Sequence, residues 1–202
     1  MLAHSAPYLP FSPEVHPASL YKINTCFLTF FPPPTHTQVN RQQKLDIKEM
    51  SLLRGKLEAC FGIRLAATQH HEIFSGRPHH VSNMAPTKIK NCALHGGDFG
   101  QKGALLNWDY IHDGAHKVAK EIVENIDDVN LSITFKVIEG DLTKEYKELK
   151  IVVKATPKSD NTSLIHWTLD YEKLNEDIAE PFSFMEFLVH LSKDIDVHHT
   201  KK

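Results

Sequence analysis

Fourteen histidines, three cysteines and a glycine-rich run are the features of this 202-residue chain that could make or hold bonds. Six of the histidines stand in adjacent pairs, His70/His71, His79/His80 and His198/His199. Neighbours on a strand point to opposite faces, and neighbours on a helix do not face one another, so such pairs chelate poorly. No H-E-x-x-H or Cys/His ligand spacing occurs, and no metal site or cofactor is expected. The histidines are expected to be solvated or to stand at the rim of a pocket. Cys26, Cys60 and Cys92 are odd in number and lack metal spacing, which fits thiols in a reducing compartment rather than a disulfide framework. The run HGGDFGQKG at residues 95–103 matches neither phosphate-loop pattern. It also falls between two strand-like segments, with no following helix to supply free amides, so it reads as a structural hairpin loop.

The remaining chemistry is burial. Residues 104–112, 131–138, 147–155 and 163–171 alternate apolar and polar side chains with period two, as half-buried antiparallel strands do. If that alternation holds, Trp108, Tyr110, Ile133, Phe135, Val137, Ile151, Val153, Ile165 and Trp167 face one interior. Phe74, Met185 and Leu188 would close its ends from helices, and Tyr110 with His79 or His70 would offer polar anchors. These thirteen positions (Phe74, His79, the nine strand residues, Met185 and Leu188) are the candidate ligand-binding set.

Asp113-Gly114, Asp127-Asp128 and Gly140-Asp141 supply turns between the strands. Residues 117–126 resist assignment, because Val118, Ala119, Ile122, Val123 and Ile126 repeat at three and four, which by itself suggests a helix. At the C-terminus Phe184, Phe187, Leu188, Leu191 and Ile195 recur at helical spacing after Pro181, predicting a helix over residues 181–199, about 28 Å long. The outline is α+β. A sheet curved around such a helix either fills its interior with side chains or leaves an apolar hollow, and the pattern alone leaves both open.

The first fifty residues differ in kind. Seven of the eleven prolines and none of the nine glycines lie there. A proline-rich stretch without apolar periodicity buries too little to offset its ordering entropy. Residues 1–49 are therefore expected to be disordered or loosely attached to a domain over the remainder of the chain. A net charge of −2 argues against a broad nucleic-acid surface, and no stretch approaches the ~18 apolar residues of a membrane span.

The segments MSLLRGKLE (50–58), HEIFSGRPHHVSNM (71–84), VIEGDL (137–142), HWTLDYEKLN (166–175) and SKDID (192–196) resemble the plant major latex proteins. These are a branch of the Bet v 1 and pathogenesis-related class 10 family, and the similarity runs through all of 50–202; because it begins at Met50, it implies that residues 1–49 are a disordered or non-native extension ahead of the domain. The resemblance implies a seven-stranded curved antiparallel sheet around a long C-terminal helix, with two short helices after the first strand. It makes 117–126 a strand, and it implies a large cavity for sterols, fatty acids, flavonoids or hormone-like molecules. A cytoplasmic, non-enzymatic carrier or sensor in plant defence follows, binding a hydrophobic small molecule as a monomer or weak dimer, with no nucleic acid or membrane span. The alternative it carries is a weak ribonuclease, for which Glu145 matches one expected residue while the last helix lacks the expected tyrosine. An alkaloid-condensing activity of another branch would need polar residues at inward positions that read here as apolar. Cys60, Gly62 and His70 depart from the family pattern, and His70 is expected to open or polarise one end of the pocket.

Overall fold

The computed structural model describes residues 52–201. The expectation of an extension over residues 1–49 lies outside them. Strand β1 (Arg54–Ile63) is followed by helix α1 (Ala67–Ser75), a 3-10 turn (Pro78–His80) and helix α2 (Val81–Met84). Strands β2 (Ile89–Gly96), β3 (Leu105–His112), β4 (Ala115–Asp127) and β5 (Ser132–Gly140) come next, then a second 3-10 turn (Asp141–Lys144). Strands β6 (Tyr146–Ser159) and β7 (Thr162–Lys173) and helix α3 (Phe182–Thr200) complete the fold. The seven strands form one antiparallel sheet in the order β1-β7-β6-β5-β4-β3-β2.

Alternating strands bury one face. Along β3 the side chains of Leu106, Trp108, Tyr110 and His112 are buried while the intervening ones are half-exposed. The β3–β4 connection is the two-residue turn Asp113-Gly114, both with positive φ (51° and 73°), whose twist suits a tight hairpin. Gly140 is fixed for a different reason. At φ 115° a Cβ there would run into the Val118 carbonyl of β4.

Residues 117–126 are strand, and their inward face is the surprising one. Ala119, Glu121 and Val123 are buried, whereas Val118 and Ile122, the more apolar alternation, face outward. Register shifts at Lys120/Glu121 and Val123/Asn125 show where the strand bends to close over the interior. Pairing with β3 over residues 115–122 and with β5 over residues 119–127 overrides the helical repeat, because the two ladders take up the backbone groups that a helix would otherwise bond internally.

Helix α3 starts just after Pro181, not on it, and crosses the concave face of the sheet. Phe184, Met185, Phe187, Leu188, Leu191 and Ile195 make its buried stripe. Its C-terminal half is tied down by polar contacts. The Trp167 indole N–H donates to Ser192 Oγ at 3.0 Å, and the Arg64 backbone N–H donates to Asp196 Oδ1 at 2.8 Å. Lys88 Nζ, from the α2–β2 connection, reaches Asp194 Oδ2 at 2.6 Å.

Candidate functional site

Between α3 and the sheet lies a cavity of about 50 Å³. Its floor is built from inward positions of the central strands: Trp108 and Tyr110 of β3, Ala119 and Glu121 of β4, Phe135 of β5, Ile151 of β6 and Trp167 of β7. Phe184, Phe187, Leu188 and Leu191 of α3 form the roof, and Phe74 of α1 and Ile89 of β2 close the sides. Aromatic contacts hold the walls. Phe74 meets Trp167 edge-on at 5.4 Å, Phe184 and Phe187 stack at 5.8 Å, and Tyr110 lies 5.5 Å from Phe187.

Seven of the thirteen candidates from the sequence line this cavity: Phe74, Trp108, Tyr110, Phe135, Ile151, Trp167 and Leu188. Ile133, Val137, Val153, Ile165 and Met185 are buried in the surrounding core without reaching it. His79 stands apart on the first 3-10 turn, its ring 4.5 Å from Phe99 of the glycine-rich loop. The cavity is also far smaller than the one the resemblance implies. A cavity of about 150 Å³ holds benzene, and drug-sized ligands occupy roughly 300–1,000 Å³. The two tryptophans and the paired phenylalanines of α3 project into the same space, which accounts for the difference.

The residue that pattern reading missed is Glu121. It is buried among apolar side chains, diagonal on the inner face to Trp108. Burial pushes its carboxyl up to about 7, and the nearby Trp108 indole N–H opposes that rise only in part. The two do not reach hydrogen-bond geometry, and Trp108 Nε1 is without a hydrogen-bond partner among the described residues, as is Tyr110 Oη. The Tyr110 phenol is pushed up by its burial first and by the Glu121 charge second. Phe184, Phe187 and Leu191, noted in the sequence only as a helical stripe, are the remaining wall.

The paired histidines need correction. His70 and His71 are buried, not solvated and not at a pocket rim. His70 Nε2 lies 3.3 Å from Ser192 Oγ, the hydroxyl that already accepts from Trp167. With two lone pairs and one proton, the Ser192 hydroxyl accepts from Trp167 and shares its second hydrogen bond with His70 Nε2, while His70 Nδ1 has no partner among the described residues. Burial, with His71 adjacent, holds its pKa down at about 3. His71 Nε2 lies 2.8 Å from Asp128 Oδ1. Neither ring touches the cavity, so His70 does not polarise it.

Other chemistry finds less. Among the described residues no group of three or more His, Cys, Asp or Glu is placed to hold a metal ion, and no helix is long and apolar enough to cross a membrane. Glu145 ends the second 3-10 turn and is not part of the cavity wall. A solvent-open hollow of about 290 Å³ lies where β1 ends, lined by Arg64, Lys158, Ser163 and Asp196 among others. Ser163 donates to the Leu65 carbonyl there, and Asp196 accepts from Arg64, so its central polar groups already have partners.

A curved antiparallel sheet gripping one long helix around an aromatic interior defines a helix-grip protein. The sequence profile of the pathogenesis-related protein Bet v 1 family matches residues 52–202, and the chain belongs to that family. It is 47% identical to MLP-like protein 31 of Arabidopsis thaliana over 152 residues, 75% of this chain and 89% of that one. Against MLP-like protein 28 of the same plant it is 46% identical over 74% of its own length, but spans only 45% of that longer protein. The crystal structure of ginseng major latex-like protein 151 from Panax ginseng superposes with a TM-score of 0.71 at 42% identity, covering 73% of this chain and 98% of that one. The fold extends to an enzyme. Norcoclaurine synthase from Thalictrum flavum, in complex with dopamine and hydroxybenzaldehyde, superposes with a TM-score of 0.62 at 17% identity over 77% of this chain and 92% of that one.

Proposed function

We propose that this chain binds an apolar small molecule between its sheet and α3, as a cytoplasmic carrier or sensor in a defence or stress response. The observation that carries the reading is the aromatic cavity between the sheet and α3, walled by α1, strands β2 to β7 and α3. A fold neighbour in complex with two small aromatic molecules supports it.

At about 50 Å³ the cavity admits a guest only by enlarging. The first turn of α3 is where that requires least. It has no side-chain cap and no acidic residue to favour its N-terminus. Phe182 there is 61% exposed, so moving it disrupts little packing. Swinging Phe184 and Phe187 outward joins the cavity to the outside without breaking a sheet hydrogen bond.

Trp108 and Trp167 are the only tryptophans in the chain, and both line the cavity. Intrinsic fluorescence therefore reads the site directly. Titrating the full chain with sterol, fatty acid and compact aromatic probes should give a saturable change in tryptophan emission with dissociation constants of about micromolar. Emission unmoved by every probe would overturn the reading.

A further inference from the structure

The cavity wall is apolar except along one side. Trp167 presents an indole N–H as well, but Ser192 already engages it. The groups left are Trp108 Nε1, Tyr110 Oη and the Glu121 carboxyl, which sit together on β3 and β4. Trp108 and Tyr110 are more than nine-tenths buried, and their polar atoms have no partner among the described residues. Buried polar groups are almost always hydrogen-bonded, and leaving one unpaired is destabilising. Two unpaired donors beside a buried acid, all lining one cavity, form half of a hydrogen-bonding arrangement.

We propose that Trp108, Tyr110 and Glu121 anchor a neutral hydroxyl group on an otherwise apolar ligand, and that they reject a carboxylate on the same framework. This rests on the cavity being the ligand site. A hydroxyl answers all three groups at once with a single small polar atom. Its oxygen accepts from both the Trp108 indole and the Tyr110 phenol, and its own O–H donates to the Glu121 carboxylate. A carboxylate has no proton to give and would place a second negative charge beside Glu121 in a water-poor space. An ammonium would pair with Glu121 but leave the Trp108 N–H without an acceptor. No cation is among the groups acting on Glu121, so nothing in the wall would neutralise a ligand carboxylate for it.

The test uses one ring system with four substituents: 2-naphthol, 2-naphthoate, 2-naphthylmethylammonium and 2-methylnaphthalene, titrated against the full chain at pH 8 with tryptophan emission as readout. The expected order has 2-naphthol tighter than 2-methylnaphthalene by about tenfold, and tighter than 2-naphthoate by more than that. Glu121→Gln should shrink the naphthol-to-naphthoate ratio to about threefold, since glutamine accepts a hydrogen bond without repelling an anion. Trp108→Phe, read through Trp167, should lower the affinity ratio of 2-naphthol to 2-methylnaphthalene about fivefold. Naphthoate or the ammonium binding as tightly as naphthol overturns the proposal, as does a ratio unmoved by Glu121→Gln. In those cases 2-methylnaphthalene still binds and the cavity reading stands. Failure of all four probes to bind overturns the cavity reading itself.

Discussion

Replacing Glu121 by glutamine should make the protein more stable, and more so at high pH. In the folded chain the carboxyl is moved from an ordinary value of 4.5 up to about 7. That displacement corresponds to roughly 3 kcal/mol of added cost for folding with the group ionised. The folded state holds the proton more tightly than the unfolded state does. Below about pH 4.5 both states are protonated and the penalty is absent. Between there and about pH 7 the folded chain carries more protons, so stability falls as pH rises, and it levels off above that window. Glutamine keeps the shape and removes the charge. Urea unfolding followed by far-ultraviolet circular dichroism should place the variant within about 1 kcal/mol of wild type at pH 5 and up to about 3 kcal/mol above it at pH 8. In a domain of this length that is a rise in Tm of about 6–12 °C. Other groups titrate in the same range, but they are common to both proteins and drop out of the difference. Parallel stability curves for the two proteins would refute the claim that Glu121 is buried and unpaired by a cation.

Three further outcomes follow from the packing. Phe187→Ala should lower stability by about 3–5 kcal/mol in chemical unfolding, while tightening the binding of a compact apolar probe that fills the enlarged cavity. His70→Phe removes an imidazole whose Nδ1 has no partner among the described residues and keeps an aromatic ring against Phe74, so its unfolding midpoint should match or exceed wild type, whereas Ser192→Ala strands both Trp167 Nε1 and His70 Nε2 and should lose about 2–4 kcal/mol. Gly114→Ala meets no neighbour and should lose only about 1 kcal/mol through its positive φ, while Gly140→Ala, blocked by the Val118 carbonyl as well, should lose several times that or fail to yield folded protein on expression.

Much of the architecture was legible because a half-buried strand writes its two faces into alternate residues. β3, β5, β6 and β7 did so, and α3 wrote its stripe at three and four. β4 did not. Its more apolar alternation, Val118 and Ile122, lies on the outer face, and its inner face contains a glutamate. Hydrophobic pattern therefore concealed Glu121, the carboxyl in the cavity wall. The signal that could have found it is the pairing register, since Ala119 opposite an inward Trp108 places Glu121 two residues on, along the same face. His70 and His71 were misplaced because their type suggests water, whereas Ser192 and Asp128 give each ring a partner in the fold. The cavity volume was not written in the pattern at all. It depends on how far Trp108, Trp167, Phe184 and Phe187 reach across from opposite walls, a matter of packing between elements distant in sequence.

The bonding along α3 is lopsided. Ser192, Asp194 and Asp196 fasten its later half to β7, the α2–β2 connection and the end of β1. Ahead of Ser192, Phe184 and Phe187 rest on the rings of Tyr110 and His112. A rod clamped by side-chain hydrogen bonds near its middle and held at its first turn by ring packing behaves as a lever, its near tip tethered just ahead of the helix by Tyr146 on the Ala179 carbonyl and Lys173 on Glu180. Phe184 lies eight residues from the Ser192 clamp, about 12 Å along the axis, so a tilt of only about 10° lifts that tip by about 2 Å. The far-end network that looks merely structural would then be the hinge on which the interior opens.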